Sequence, residues 1–251
     1  MNIKWDAVKY TSDFSFVHRY GNGVIDLIDE NRGTVLDLGC GNGALSKVLF
    51  DKGFHVVGID ASDELLEIAQ KNYPEIRFMK ADATEFSLRQ PVDVVFSNAV
   101  FHWINGERQC DMLKCVHKAL KANGQFVFEF GGFGNNGLIH GALEKAFLEY
   151  KYTYGMPFYF PTIGEYASLL ESSGFRTIYA VLFDRPTELK GKDGLKDWIN
   201  MFVKTPFSVV KNEDEKRKII DETVENLRNV LYRDGKWFAD YVRIRMKAVR
   251  L

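Results

Sequence analysis

The chain has 251 residues, 46% hydrophobic and 27% charged, a balance that builds a folded core and excludes a disordered chain. Its 33 basic and 34 acidic residues leave a formal net charge of −1, so no basic excess points to a nucleic acid or a membrane surface as partner. Cys40, Cys110 and Cys115 are too few for a disulfide framework, no apolar run approaches the ~20 residues of a membrane span, and no signal peptide is visible, so a reduced, cytoplasmic protein is expected.

Residues 1–34 read as a helical lead, amphipathic over 24–28 and stopped at Gly33. The pattern then predicts a strand over 34–38, a helix over 44–52 ended by Gly53, and a second buried strand over 55–60. Ser62 caps a helix over 63–72, with Pro74 just beyond it. Short strands follow over 76–81 and 92–97, then a helix over 106–121, a turn at Asn123-Gly124 and a fifth strand over 125–130. Strands alternating with helices predict an α/β fold whose parallel sheet is covered on both faces.

The second half opens on a glycine-rich loop over 131–137, expected to be mobile, and a helix over 138–151. An aromatic segment over 152–161 leads to Thr162, which caps a helix over 163–172. A strand over 175–183, helices over 195–202 and 212–231, a turn at Asp234-Gly235 and a last strand over 237–249 complete the chain. No linker or repeat divides it, so residues 1–251 are expected to form a single domain, with helical cap insertions within about 131–174 and 190–232.

Residues 35–43 run an apolar strand into Asp37 and then place glycines at 39, 41 and 43, before apolar residues at helical spacing. Glycine lets such a turn take positive φ and lets a ligand lie on bare backbone, at a helix start whose N–H groups point outward. This points to an adenosine-type cofactor. Gly39 to Ala44 also fits the dinucleotide pattern G-x-G-x-x-G/A, so the turn alone does not choose between cofactors. Asp60 ends the next strand, where an acid can take both hydroxyls of a ribose, although a capping or turn acid would look the same. Asp82 follows the third strand, where a carboxylate can accept from an adenine amine or simply be a solvated turn acid. Asp37 suits a ligand with an ammonium group better than a pyrophosphate. Tyr150, Tyr152 and Tyr154 lack the lysine four residues on that one dehydrogenase constellation uses, so S-adenosyl-L-methionine is favoured over a nicotinamide.

Asp37-Leu38-Gly39-Cys40-Gly41-Asn42-Gly43, with Asp60, Asp82 and Ser97-Asn98-Ala99, resembles the class I S-adenosylmethionine-dependent methyltransferases over roughly residues 30–130. The resemblance implies a Rossmann-like three-layer sandwich with a seven-stranded, mostly parallel sheet whose last strand is antiparallel. It implies that Gly39, Cys40 and Gly41 hold the methionine part of the cofactor, Asp60 and Ala61 the ribose, and Asp82 and Ala83 the adenine, with Asn98 and Ala99 nearby. More closely, the chain is similar to the trans-aconitate methyltransferase-like proteins. Trp5 and Tyr10 match their opening W-x-x-x-x-Y and would fold over the cofactor, and residues 98–103 match N-A-x-x-Q-W with His102 in place of glutamine.

Methyl transfer from a sulfonium is an in-line displacement, for which the protein mainly orients two reactants. His102 is the candidate base or substrate hydrogen bond, if it is not a structural histidine, and Phe101 and Trp103 are candidate acceptor-side walls. Trp103 would face the sulfonium by cation–π attraction, if it is not packing. A carboxylate acceptor needs no base, whereas a neutral hydroxyl, an amine or a carbon acceptor calls for one. The expected activity is methyl transfer to a small molecule, first to a carboxylate oxygen, with carbon or nitrogen as the alternative and S-adenosyl-L-homocysteine as product. A nicotinamide-dependent oxidoreductase and a non-catalytic cofactor-binding regulator are the rivals of other classes. His18, His55, His117 and His140 have no metal-ligand spacing, so no metal is expected. The aromatics over 152–160 either line an acceptor pocket or fill the cap, and nothing selects among Arg176, Arg185 and Arg243 as partner of a substrate carboxylate.

Overall fold

The computed structural model describes residues 16–29 and 33–251; Trp5 and Tyr10 lie outside them. Helix α1 (Phe16–Ile25) leads into β1 (Thr34–Leu38), α2 (Ala44–Asp51), β2 (His55–Asp60), α3 (Asp63–Asn72), β3 (Arg77–Lys80) and β4 (Val92–Asn98). Then come α4 (Gln109–Ala119), β5 (Leu120–Gly131), α5 (Gly137–Glu149), α6 (Ile163–Ser172), β6 (Phe175–Leu189), α7 (Gly194–Phe202), α8 (Glu213–Leu231), β7 (Tyr232–Arg233) and β8 (Lys236–Arg250).

Seven strands lie in the order β3-β2-β1-β4-β5-β8-β6. The first five pair in parallel, and β8, the last in sequence, runs antiparallel to both β5 and β6. The short β7 adds a hairpin to β8. Its turn residues Asp234 and Gly235 both have positive φ, which matches the twist of a two-residue hairpin. The inner strands are near-continuous apolar runs because helices cover both faces: Val35, Leu36, Val94, Val95 and Phe96 are all buried. One face packs Phe126, Phe128 and Phe130 against α4 and α6, and the other packs Val127 and Phe96 against Val24 of α1 and Leu49 of α2. A third core joins α5, α7 and α8 to the far ends of β6 and β8, through Phe147, Trp198, Ile219 and Trp237. Strand order reverses between β1 and β4, and the crevice at the carboxyl ends there is where open α/β sheets bind ligands.

Three expectations change. The helix over 106–121 is a 3-10 turn at Gly106–Arg108 followed by α4, and the chain passes straight into β5. Asn123-Gly124 is a bulge there: Val92 pairs Leu120 but Val94 pairs Gln125, and Asn123 has φ +62°. Strand β6 continues past Phe183 to Leu189, since β8 supplies ladder partners along its whole length; Pro186 is tolerated because β6 is an edge strand. The glycine-rich loop is pinned to β8. Gly132 N–H donates to Val242 O (3.1 Å), Asn136 N–H to Asp240 O (2.9 Å), and Val242 N–H to Asn135 Oδ1 (2.9 Å). A Cβ on Gly132 would lie 2.4 Å from Leu182, so glycine serves close packing at this point.

Candidate functional site

The turn after β1 is stitched to the end of β2. Gly39 N–H and Cys40 N–H both donate to Ile59 O, at 2.8 and 3.0 Å. Gly39, Gly41 and Gly43 all have positive φ (77°, 54° and 80°) but differ in what a side chain would meet. A Cβ at Gly39 would lie 2.2 Å from Val100 and one at Gly43 2.8 Å from Phe78. At Gly41 the nearest atom would be Leu65 Cδ1 at 4.0 Å, so this glycine presents bare backbone to open space.

That space is a cavity of about 450 Å³, within the range of small-ligand and cofactor sites. Gly39, Gly41, Asp60, Ala61, Asp82, Ala83, Asn98, Ala99 and Trp103 all line it. Asp60 accepts from Gly41 N–H on Oδ2 and from Ser62 N–H on Oδ1, each at 2.9 Å. Burial pushes its carboxyl above the usual range, and these backbone bonds pull it back only in part. Asp82 Oδ1 accepts from the Thr84 amide (2.8 Å) and hydroxyl (2.6 Å). Burial raises Asp82, but the Thr84 bonds and nearby positive charge outweigh it and hold the carboxyl below its ordinary value. Ala99, at the end of β4, has φ +63°, a strained conformation held by its N–H bond to Glu129 O (2.7 Å).

Among the described residues, four expected site residues lie off this wall: Asp37, Cys40, Phe101, and His102, which lines a second cavity. Asp37 is buried behind the turn, where Ser46 Oγ donates to its Oδ2 at 2.5 Å; burial pushes its pKa up to about 7. Cys40 is also buried, and desolvation together with Asp37 and Asp60 raises its thiol well above the ordinary value. Phe101 sits in the core among Phe126, Phe128 and Phe130. Leu65, Thr84, Arg108, Pro157 and Thr205 line the cavity without having been expected there, because they are brought in from separate segments that carry no local motif.

A second, smaller cavity of about 40 Å³ shares Ala99 and Trp103 with the first. His102 lies on its wall, 8% exposed. Gly131 N–H donates to His102 Nδ1 at 3.3 Å, which leaves the proton of the neutral ring on Nε2. Burial, helped by nearby Arg243, holds the ring pKa well below 6.5 and so keeps it neutral. The aromatic segment divides: Phe158 and Phe160 line this cavity, while Tyr152 and Tyr154 pack in the helical core. The three arginines divide as well. Arg176 is exposed on β6. Arg185 and Arg245 both pair with the buried Glu129, Arg245 Nη2 at 2.7 Å from Oε2. Arg243 lines the second cavity. Among the described residues no cluster of His, Cys, Asp or Glu could hold a metal, and no helix is long and apolar enough to cross a membrane.

The sequence profile of a methyltransferase domain matches residues 35–124, from β1 into the bulge of β5. An uncharacterised methyltransferase of Schizosaccharomyces pombe is 33% identical over 258 residues, covering 97% of each chain. A trans-aconitate 2-methyltransferase of Azoarcus is 38% identical over 106 residues, 40% of this chain and 41% of that protein. Among solved structures, a methyltransferase of Bacillus halodurans has the same fold, with a TM-score of 0.64 at 16% identity, covering 91% of this chain and 97% of that one.

Proposed function

The chain belongs to the class I S-adenosylmethionine-dependent methyltransferases, and within that family we propose that it methylates a carboxylate oxygen of a small-molecule acceptor. The observation that carries this reading is the His102 ring. With Gly131 N–H bonded to Nδ1 and the proton on Nε2, the neutral ring donates a hydrogen bond and has no free nitrogen with which to take a proton. The other titratable groups on that wall, among the described residues, are Tyr241 and Arg243. Burial pushes the Tyr241 phenol up, and a guanidinium stays charged. A neutral hydroxyl, an amine or a carbon acceptor calls for a base that this wall does not offer; a carboxylate arrives as a nucleophile. The similarity to a protein named for methylating trans-aconitate supports the same acceptor class.

S-adenosylmethionine, when bound, supplies a methyl group on a sulfonium, whose C–S electron pair leaves with sulfur as the acceptor oxygen attacks. In this reading the bare face of Gly41, with Gly39, cradles its methionine part beside Asn98 and Ala99. The second lone pairs of the Asp60 oxygens take the ribose hydroxyls beside Ala61, and Asp82 takes the adenine amine beside Ala83. Asp37 acts from behind the turn, where a bound ammonium group would favour the ionised form that burial disfavours in the ligand-free protein. Trp103, on the wall common to both cavities, excludes water where donor and acceptor meet. Residues 1–251 are assigned to one catalytic domain in which α5, α7 and α8 cap the acceptor side, while α6 covers the sheet.

Calorimetry with S-adenosylhomocysteine tests the donor site. The wild type should bind it, and Asp60→Ala, which removes two charged acceptors, should bind about 100-fold more weakly. Unchanged affinity in the variant would refute the ribose assignment. A panel of carboxylates, phenols and amines tests the acceptor. Turnover should favour carboxylates with a flat pH profile near neutrality, and His102→Gln, which keeps a donor, should retain most of it. A preference for amines, or a pH limb that disappears in His102→Gln, would overturn this reading.

A further inference from the structure

We propose that a third cavity, set in the helical cap, is an effector site for a small amphiphile with one anionic head group, and that its occupancy is coupled to cofactor binding. The coupling rests on the donor-cavity reading above; the site itself does not.

The cavity lies between the end of α7, a 3-10 turn at Pro206–Val209 and the first turn of α8. Its volume of about 320 Å³ suits a small ligand. Ile199, Val203, Phe207 and Val210, all buried, form an apolar floor, over which an alkyl chain would leave water favourably. Phe207 is fixed from behind by an edge-to-face contact with Phe147 of α5, the ring centres 4.9 Å apart.

The rim is basic. Among the described residues, Lys204, Lys211 and Lys216 line the cavity against one acid, Glu213, in a chain whose net charge is −1. Lys216 Nζ lies 3.6 Å from Glu213 Oε2, and Lys211 Nζ donates to Ser208 O at 2.9 Å. An ammonium carries three donors, so both contacts leave N–H groups for an anion. The other two acids in the first turn of α8 are engaged elsewhere: Asp214 pairs with Arg217, and Glu215 Oε2 accepts from the Tyr152 hydroxyl at 2.8 Å. Floor and rim together select an amphiphilic anion. An inorganic anion gains nothing from the floor, and a neutral alcohol gains little from the rim.

Four consecutive residues connect this cavity to the other two. Phe202 lines the small cavity beside His102, Val203 and Lys204 line the cap cavity, and Thr205 lines the donor cavity. They lie where α7 ends. Val203 N–H donates to Ile199 O (2.9 Å), and Ser208 N–H donates to Thr205 O (3.1 Å) in the 3-10 turn that follows. A ligand packed on Val203 and Phe207 therefore holds the segment that presents Phe202 and Thr205 to the site of methyl transfer. Linkage makes the effect reciprocal, so the cofactor must change affinity at the cap cavity by the same factor.

The test titrates octanoate by calorimetry with S-adenosylhomocysteine present and absent, so that no methyl transfer intervenes. Octanoate should bind with a Kd of about 1 mM or tighter, and octanol and octylamine about fivefold more weakly or worse. S-adenosylhomocysteine should shift the octanoate Kd by about fivefold or more. Ser208→Trp fills the cavity from an exposed position, and Lys211→Glu reverses an exposed rim charge. Each should weaken octanoate by about fivefold or more while binding S-adenosylhomocysteine as the wild type does when octanoate is absent. No binding of octanoate, equal binding of octanol or octylamine, or a Kd indifferent to S-adenosylhomocysteine would overturn the proposal. So would an affinity unchanged in both variants, which would put octanoate on the acceptor side instead. Should Ser208→Trp fail to fold, Lys211→Glu decides. Failure of the wild type to bind S-adenosylhomocysteine would overturn the donor-site reading, and the octanoate affinities would still judge the cap site.

Discussion

Gly39 and Gly41 are two residues apart in one turn, yet alanine should damage them in different ways. At Gly41, alanine must hold φ near +54°, which costs about 1–2 kcal/mol. The more restricted unfolded chain returns about 0.4–1 kcal/mol. The new methyl group has no close neighbour, Leu65 Cδ1 being 4.0 Å away, so no steric penalty is added. The net loss is about 1 kcal/mol, which for a chain of this length lowers Tm by about 2–4 °C. The methyl group projects into the 450 Å³ cavity, however, where it should weaken S-adenosylhomocysteine by about 100-fold, close to 3 kcal/mol. At Gly39 the same substitution drives a Cβ to 2.2 Å from Val100, adding about 1–3 kcal/mol of overpacking to the same strain. Its Tm should fall by about 5–15 °C. Calorimetric melting and titration with S-adenosylhomocysteine measure both effects. A Gly41→Ala variant that melts far below the wild type, or that binds within threefold of it, would refute the placement of this glycine on the cofactor face.

Glu129→Gln leaves Arg185 and Arg245 without their shared buried carboxylate and should cost about 3–5 kcal/mol, lowering Tm by roughly 6–20 °C; a change under 2 °C would show the network to be dispensable. Asp37 should make stability fall as pH rises. Burial raises its pKa from 3.8 to about 7, so between those values the folded state holds a proton that the unfolded state has lost. From pH 5 to 8 this amounts to about 3 kcal/mol in the ligand-free protein. Denaturant titrations at both pH values should find that loss reduced in Asp37→Asn, which keeps an oxygen for Ser46. Equal slopes in the two proteins would contradict the assignment.

The donor half of the site was legible because its signals are local. Positive φ at three alternate glycines, an acid at the end of β2 and another after β3 each follow from a few neighbouring residues, and α/β topology brings those strand ends to one edge. The same signals misled where burial, not spacing, decides. Asp37 and Phe101 stand in the expected motifs, but the first lies behind the turn and the second in the aromatic core. Asp184, Arg185 and Pro186 look like the end of a strand, and only the pairing with β8 carries β6 on to Leu189.

The linear order of residues was therefore enough to specify the methyl donor, whose binding depends on backbone conformation and short-range capping. It left the acceptor side open. That side is assembled from the segment after β4, the loop after β5, the aromatic segment, α7 and β8, and no two of these sites are neighbours in sequence. Arg176, Arg185 and Arg243 are the same residue type in similar strand contexts. Packing puts one in solvent, gives one to Glu129, and sets the third beside the donor cavity, because the registers of β8 with β5 and with β6 decide which side chains point inward.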